Sequence, residues 1–177
     1  MINIFYYHGL DSVLSDEKRE VLERFGNVIA PTFDYRNIAI EDVLTELIDI
    51  QFNVDCDLVI GSSFGGLMAY TAAELKDLPC LIFNPALYAN SLNWDMYEVA
   101  DETFRQDERT SLVYIVLGQK DKVVEYEKNY KFIEENVEGG KTIISIPDLE
   151  HRIPLDVFEE HVKCFFQTIH PSFMLFD

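Results

Sequence analysis

The chain is poor in positive charge. Its 177 residues hold 14 Lys and Arg against 32 Asp and Glu, a formal charge of −18. Binding to a nucleic-acid backbone or an anionic lipid surface draws on a basic patch, so the composition argues against both. A strongly anionic small molecule would also be repelled at long range, unless a local cationic pocket overrode that field. Long apolar runs are lacking as well, and none approaches the ~20 residues of a bilayer-spanning helix. Met1-Ile2-Asn3-Ile4 has neither a basic n-region nor a small-residue cleavage site, so no signal peptide is expected. There are only three cysteines, Cys56, Cys80 and Cys164, odd in number and far apart. They form no disulfide or metal framework, and free thiols in a reducing cytoplasm are the simplest reading. Repeats, low-complexity tracts and Pro/Gly/Ser-rich linkers do not occur, which leaves a single domain over residues 1–177.

What the chain does have is an alternation. Apolar runs at Ile2–Tyr7, Leu58–Ile60, Cys80–Phe83, Leu112–Leu117 and Thr142–Ile146 are continuous, as in parallel strands covered on both faces. Val28–Ala30, ended by Pro31, is a weaker sixth run. Amphipathic stretches lie between them. Ser15 reads as an N-cap followed by Asp16 and Glu17, and Gly26 closes that helix. Ile40, Val43, Leu44, Leu47 and Ile48 form one helical stripe. Gly65 to about Lys76 reads as a buried helix, and Val123 to about Asn136 as another. Pro154 fits the first turn of a last helix striped by Val157, Phe158, Val162, Phe165 and Phe166. With right-handed crossovers this order gives an α/β fold of three layers, α/β/α, around a mostly parallel sheet of about six strands. Ligands bind such sheets at the carboxyl ends of strands.

One strand end carries a motif. Gly61-Ser62-Ser63-Phe64-Gly65 is G-x-S-x-G between a strand and a helix. The spacing has a steric reason. A sharp turn holds the central Ser63 hydroxyl proud of the sheet. The residues two before and two after then come so close that a Cβ on either would collide. Only the Ser63 register has glycine on both sides, so Ser62 is a neighbour.

A serine hydroxyl needs a base to become a nucleophile. Of the four histidines, His161 falls within the last helix and His170 in the tail, whereas His151 follows the last strand directly. His151 is the expected general base. The base in turn needs a carboxylate to orient it. Asp121 follows the fifth run at the same sheet edge and is the expected partner, with helix N-capping as its other reading. Asp148 and Glu150 are alternatives, too near His151 in sequence to address its ring easily. For the oxyanion of an acyl-transfer intermediate, two backbone donors are expected: the N–H of Phe64, and the N–H of Leu10 in the loop Tyr7-His8-Gly9-Leu10. The His8 ring is expected to shape that loop. His8, Gly9 and Trp94 are the candidate substrate contacts.

Tyr6–Gly9, Gly61–Gly65, Asn84-Pro85, Gly118–Val124 and His151 together resemble the α/β-hydrolase superfamily, and within it the small, lidless, esterase-like YqiA-type family. The resemblance spans nearly the whole chain. One departure is Leu149-Glu150 in place of the glycine that usually precedes the family's late histidine. The resemblance implies a minimal α/β-hydrolase fold and hydrolysis of acyl esters or thioesters. With Ser63, His151 and Asp121 as a Ser-His-Asp triad and the two backbone donors, the chain supplies the chemistry itself, and no metal or cofactor is expected. A non-catalytic binding module on the same fold, or an acyltransferase with the same triad, are the alternatives. Larger relatives insert a lid where this chain has a short cap-like segment at about 85–111. Its Trp94, Tyr97 and Phe104 either wall an acyl pocket or anchor a short helix. The expected partner is a small-molecule ester or thioester, without nucleic acid or membrane. The expected state is a cytoplasmic monomer or weak homodimer. The apolar tail Phe173-Met174-Leu175-Phe176 packs on its own core in the first reading and makes a dimer contact in the second.

Overall fold

The computed structural model describes residues 1–37, 42, 55–88, 110–137 and 139–170. The stripe from Ile40 to Ile48, the aromatic residues Trp94, Tyr97 and Phe104, and the apolar tail lie outside the described residues, Asp42 within the stripe excepted. The described elements alternate as β1 (Asn3–Tyr7), α1 (Asp16–Glu23), β2 (Asn27–Ile29), β3 (Leu58–Ser62), α2 (Phe64–Lys76), β4 (Cys80–Phe83), β5 (Val113–Gly118), α3 (Tyr126–Asn136), β6 (Lys141–Ile146) and α4 (Leu155–Ile169). The six strands form one sheet in the order β2-β1-β3-β4-β5-β6. All five pairings are parallel.

Each strand faces a helix layer on both sides, which explains the continuous apolar runs. In β1, Phe5 and Tyr7 join the cluster under α2 and α3, with Leu67, Met68, Ala72 and Ile133. Ile4 and Tyr6 point the other way, into the cluster under α1 and α4, with Leu22, Phe158, Val162 and Phe165. The α4 stripe is apolar at helical spacing, and Phe158, Val162, Phe165 and Phe166 are all buried. Each such side chain contributes roughly 1.5–3 kcal/mol. Phe165→Ala would leave a cavity costing about 3–5 kcal/mol. The two helices on that side are also tied by stacking of Phe25 on Phe166 and by Arg24 donating to Glu159 at 2.8 Å.

Sequence order and spatial order diverge at one place. The chain goes outward from β1 to β2, then returns to the other flank of β1 for β3. The loops leaving β1 and β3 therefore part at the carboxyl edge, and a crevice opens between them. The Ser63 turn follows β3, and the His8–Leu10 loop follows β1.

Among the boundaries that differ from expectation, two helix starts have clear local reasons. The third helix starts at Tyr126 instead of Val123. Asp121 Oδ1 accepts the N–H groups of Val123 and Val124 at 2.8 and 3.0 Å, which makes a separate turn first. Pro154 stands at the N-cap of α4, one residue before the first turn. Ser15 caps α1 as expected, accepting from the Lys18 N–H at 3.4 Å.

Candidate active site

Ser63 has φ 57° and ψ −123°, backbone angles that cost a non-glycine residue about 1–3 kcal/mol. Its neighbours hold it there. The Ser63 N–H donates to the Phe83 carbonyl at 2.9 Å, and the Ser63 carbonyl accepts from Gly66 and from Ala86, each at 2.9 Å. The turn is as tight as the motif requires. A Cβ on Gly61 would strike the Gly65 carbonyl, and a Cβ on Gly65 would strike the carbonyls of Tyr7 and His8.

Three of the expected side chains come together. His151 Nε2 lies 2.9 Å from Ser63 Oγ, and His151 Nδ1 lies 2.7 Å from Asp121 Oδ2. Asp121 is buried, so its carboxylate depends on these partners. One oxygen accepts from the Val123 and Val124 N–H groups, and the other faces the imidazole. That arrangement favours the tautomer with hydrogen on Nδ1, leaving Nε2 to accept from the Ser63 hydroxyl. Asp121 thus caps a turn ahead of the helix, whose own N-cap is Glu125, and contacts the histidine with its other oxygen. Asp148 is engaged elsewhere, in an exposed pair with Lys120 at 2.6 Å that holds its carboxyl below the ordinary aspartate range.

Sequence reasoning assigned no role to Asn84, although Asn84-Pro85 was part of the family pattern. Its amide is buried between three backbone groups. Asn84 Nδ2 donates to the carbonyls of Glu150 and His151 at 2.9 and 3.0 Å, and Asn84 Oδ1 accepts the Gly118 N–H at 2.7 Å. The loop carrying His151 is thereby pinned to the ends of β4 and β5. Gly118 permits the close approach, because a Cβ there would meet the carbonyl oxygens of Leu149 and Glu150. The departure at Glu150 is accommodated, since Asn84 binds its main chain.

The loop after β1 lies against the serine. A Cβ on Gly9 would lie 3.4 Å from Ser63 Cβ. His8 is buried, with Nδ1 2.7 Å from the Gly9 carbonyl and Nε2 accepting the Phe33 N–H at 2.8 Å. Both ring nitrogens are spent on main chain, so the ring shapes the loop, and His8 does not line the cleft. Rings of Phe33 and Tyr35 pack on His8, and Tyr35 packs edge-on to Phe64. Phe64 opens α2 directly after Ser63, which stands at the helix N-cap. Asp11 follows Leu10 with φ 56° and accepts from Arg36 Nε and Nη2; this ion pair lowers the exposed carboxyl below its ordinary value.

Ser63 and His151 open onto a cleft of about 850 Å³, lined also by Gly9, Leu10, Phe64, Val124 and Ile153. Lys18, Arg36 and Arg152 line it too, and sequence reading singled out none of them. Trp94 lies outside the described residues. Among the described residues there is no group of three or more His, Cys, Asp or Glu arranged to hold a metal ion. Likewise no described helix is long and apolar enough to cross a membrane.

Several solved structures share this architecture. SOBER1 from Arabidopsis thaliana superposes with a TM-score of 0.71 at 12% identity, over 94% of this chain and 98% of that one. Est1E from Butyrivibrio proteoclasticus with ferulic acid bound gives 0.69 at 18% identity, over 95% and 89%. Mouse alpha/beta hydrolase domain-containing protein 10 gives 0.68 at 14% identity, over 97% and 90%. At such identities the likeness concerns the fold, which is that of the α/β-hydrolases. No curated protein matches the sequence. The model of the uncharacterised protein family UPF0227, the YqiA-type family that the motifs resemble, matches residues 3–153, and the chain belongs to that family.

Proposed function

We propose that the chain is a serine hydrolase of acyl esters or thioesters. The observation carrying this reading is the line of two hydrogen bonds from Asp121 through His151 to Ser63, ending at a strained serine in an open cleft. A buried aspartate, a histidine and a serine can each be explained by packing alone. Packing does not explain why all three align at 2.7 and 2.9 Å while the serine backbone stays strained. The names of the structural relatives, among them the Bacillus cereus carboxylesterase, point the same way.

In this reading Ser63 Oγ attacks the carbonyl carbon as its proton passes to His151 Nε2. Asp121 stabilises the imidazolium through Nδ1–H. The N–H groups of Leu10 and Phe64 receive the developing oxyanion, each worth about 10²–10³ in rate. The intermediate collapses as His151 gives that proton to the leaving alcohol or thiol, which leaves an acyl-Ser63 ester. Water, deprotonated by His151, then attacks this ester and releases the acid. Gly9 supplies close approach to the acyl carbon, and His8 acts through the loop.

The test is labelling of the folded protein with a fluorophosphonate, followed by turnover of p-nitrophenyl esters and acyl-thioesters of increasing length. Wild type is expected to form one adduct, at Ser63, and to hydrolyse a member of the panel. Ser63→Ala and His151→Ala are expected to lose both properties. Absence of an adduct from folded wild type would sink the reading.

A further inference from the structure

The charge at the cleft is opposite to the charge of the chain. Basic residues are outnumbered 14 to 32 overall, yet among the described residues the cleft lining holds Lys18, Arg36 and Arg152 against one carboxylate, Asp11. Asp11 is neutralised by Arg36, which grips both its oxygens. That leaves two cations. Lys18 lies on α1 with Nζ 5.1 Å above the Phe158 ring, so its stem is held against α4. Arg152 follows His151 directly. Neither joins an ion pair among the described residues, whereas Arg24, Arg36, Lys120 and Lys128 all do. Asp16 and Glu17 start the same helix as Lys18 but do not line the cleft.

Folding alone does not call for this. A half-buried ammonium without a counter-charge opposes stability. Burial duly lowers the Lys18 ammonium below its ordinary value, and an anion bound beside it would remove that penalty. In so acidic a chain, carboxylates were the available partners, yet among the described residues none forms an ion pair with these two side chains. The rest of the lining is mixed, with apolar Leu10, Val13, Val124 and Ile153 beside the hydroxyls of Ser12, Ser15 and Ser62.

We infer that the substrate is an ester or thioester with an apolar body and an anionic group, a carboxylate or a phosphate, bound by Lys18 and Arg152. This rests on the hydrolase reading above and names the substrate class of that same site. It also explains how a chain of charge −18 accepts an anion, since the repulsion is reversed locally, at the one place where the anion is wanted.

Two matched pairs of substrates test it. The first is p-nitrophenyl butyrate against the p-nitrophenyl monoester of glutarate, which puts a carboxylate on the acyl side. The second is butyryl-pantetheine against butyryl-phosphopantetheine, which puts a phosphate on the leaving side. At low salt, kcat/KM for the charged member of at least one pair is expected to exceed that of its neutral partner about tenfold. The responding pair identifies the anion. In the Lys18→Gln/Arg152→Gln variant that ratio is expected to fall about two- to fivefold, the upper part of the range of a single exposed ion pair, and to do so through KM. Lys18→Arg, which keeps the charge, is expected to retain it. Equal turnover of charged and neutral members by wild type would overturn the inference and leave the hydrolase reading standing, as would an unchanged ratio in the double variant. Absence of both turnover and phosphonate labelling would overturn the two together.

Discussion

Asn84 sits where the chain leaves β4, at φ 40°, a conformation that asparagine tolerates better than most residues. Its three hydrogen bonds fix the loop on which His151 stands. Asn84→Ala would remove the partner of the buried Gly118 N–H and of two part-buried loop carbonyls, at a cost of about 2–4 kcal/mol. If His151 is the base, kcat is expected to fall roughly 10–100-fold with little change in KM, because orientation and not binding is lost. Steady-state kinetics beside a thermal melt separate the two effects. A loss in Tm with kcat intact would mean that His151 needs no such support. Asp121→Asn probes the other side of the ring. The amide can still contact Nδ1, but by donating it would reverse the tautomer, so kcat is expected to drop by about 10⁴. The contrast between these residues also explains what was legible. Ser63, Asp121 and His151 each follow a strand at one sheet edge, so chain order alone suggested their meeting. Asn84 acts on main-chain atoms 34, 66 and 67 residues away, and nothing in its own residue type announces a carbonyl partner.

Elements were read from the sequence to the extent that burial dictated them. β4 was expected at Cys80–Phe83 and is found there, because all four residues are buried. β3 runs two residues beyond the apolar run Leu58–Ile60, because Gly61 and Ser62 stay in register with Ile82 and Phe83 before the turn. Pattern reading stops at such residues, which pair through the backbone and have no apolar side chain to signal it. The junction between α2 and β5 was equally hidden. Asp77 ends α2 in the left-handed conformation and accepts from the N–H and hydroxyl of Thr110 and from the N–H of Ser111. This closes the excursion between β4 and β5. Slight burial pulls the carboxyl upward, but those bonds outweigh it and hold the group below the ordinary aspartate range. The folded state therefore binds its proton less readily than the unfolded chain does. The stabilisation is present above the ordinary aspartate value and lost as pH falls through the lowered one. Asp77→Ala is expected to lower Tm by about 2–4 °C at neutral pH, the shift that ~1 kcal/mol makes in a chain of this size. The gap should narrow as the melt is repeated toward pH 3. A constant gap across that range would place the effect in packing and not in the carboxylate.

The whole molecule is governed by a charge that its own ion pairs cannot neutralise. Even if every one of the 14 cations paired, 18 carboxylates would remain from 32. The pairs that form are mostly exposed, such as Arg19–Glu23 on α1 and Lys131–Glu135 on α3, each at 3.8 Å, and such pairs are worth a few tenths of a kcal/mol. Repulsion, summed over many carboxylates at longer range, opposes the compact state. Salt acts on both, but not equally. Raising ionic strength from about 0.01 to 0.1 M shortens the screening length from roughly 30 to 10 Å, which cancels the long-range repulsion before it reaches pairs in contact. Tm is therefore expected to rise by several degrees over that range, and to rise equally in NaCl and KCl because the effect is screening. Charge reversal at an exposed α1 acid, Glu20→Lys, is expected to raise Tm at low salt and to flatten the salt dependence. A Tm that falls with salt would mean that contacts such as Arg24–Glu159, which join α1 to α4, outweigh the repulsion.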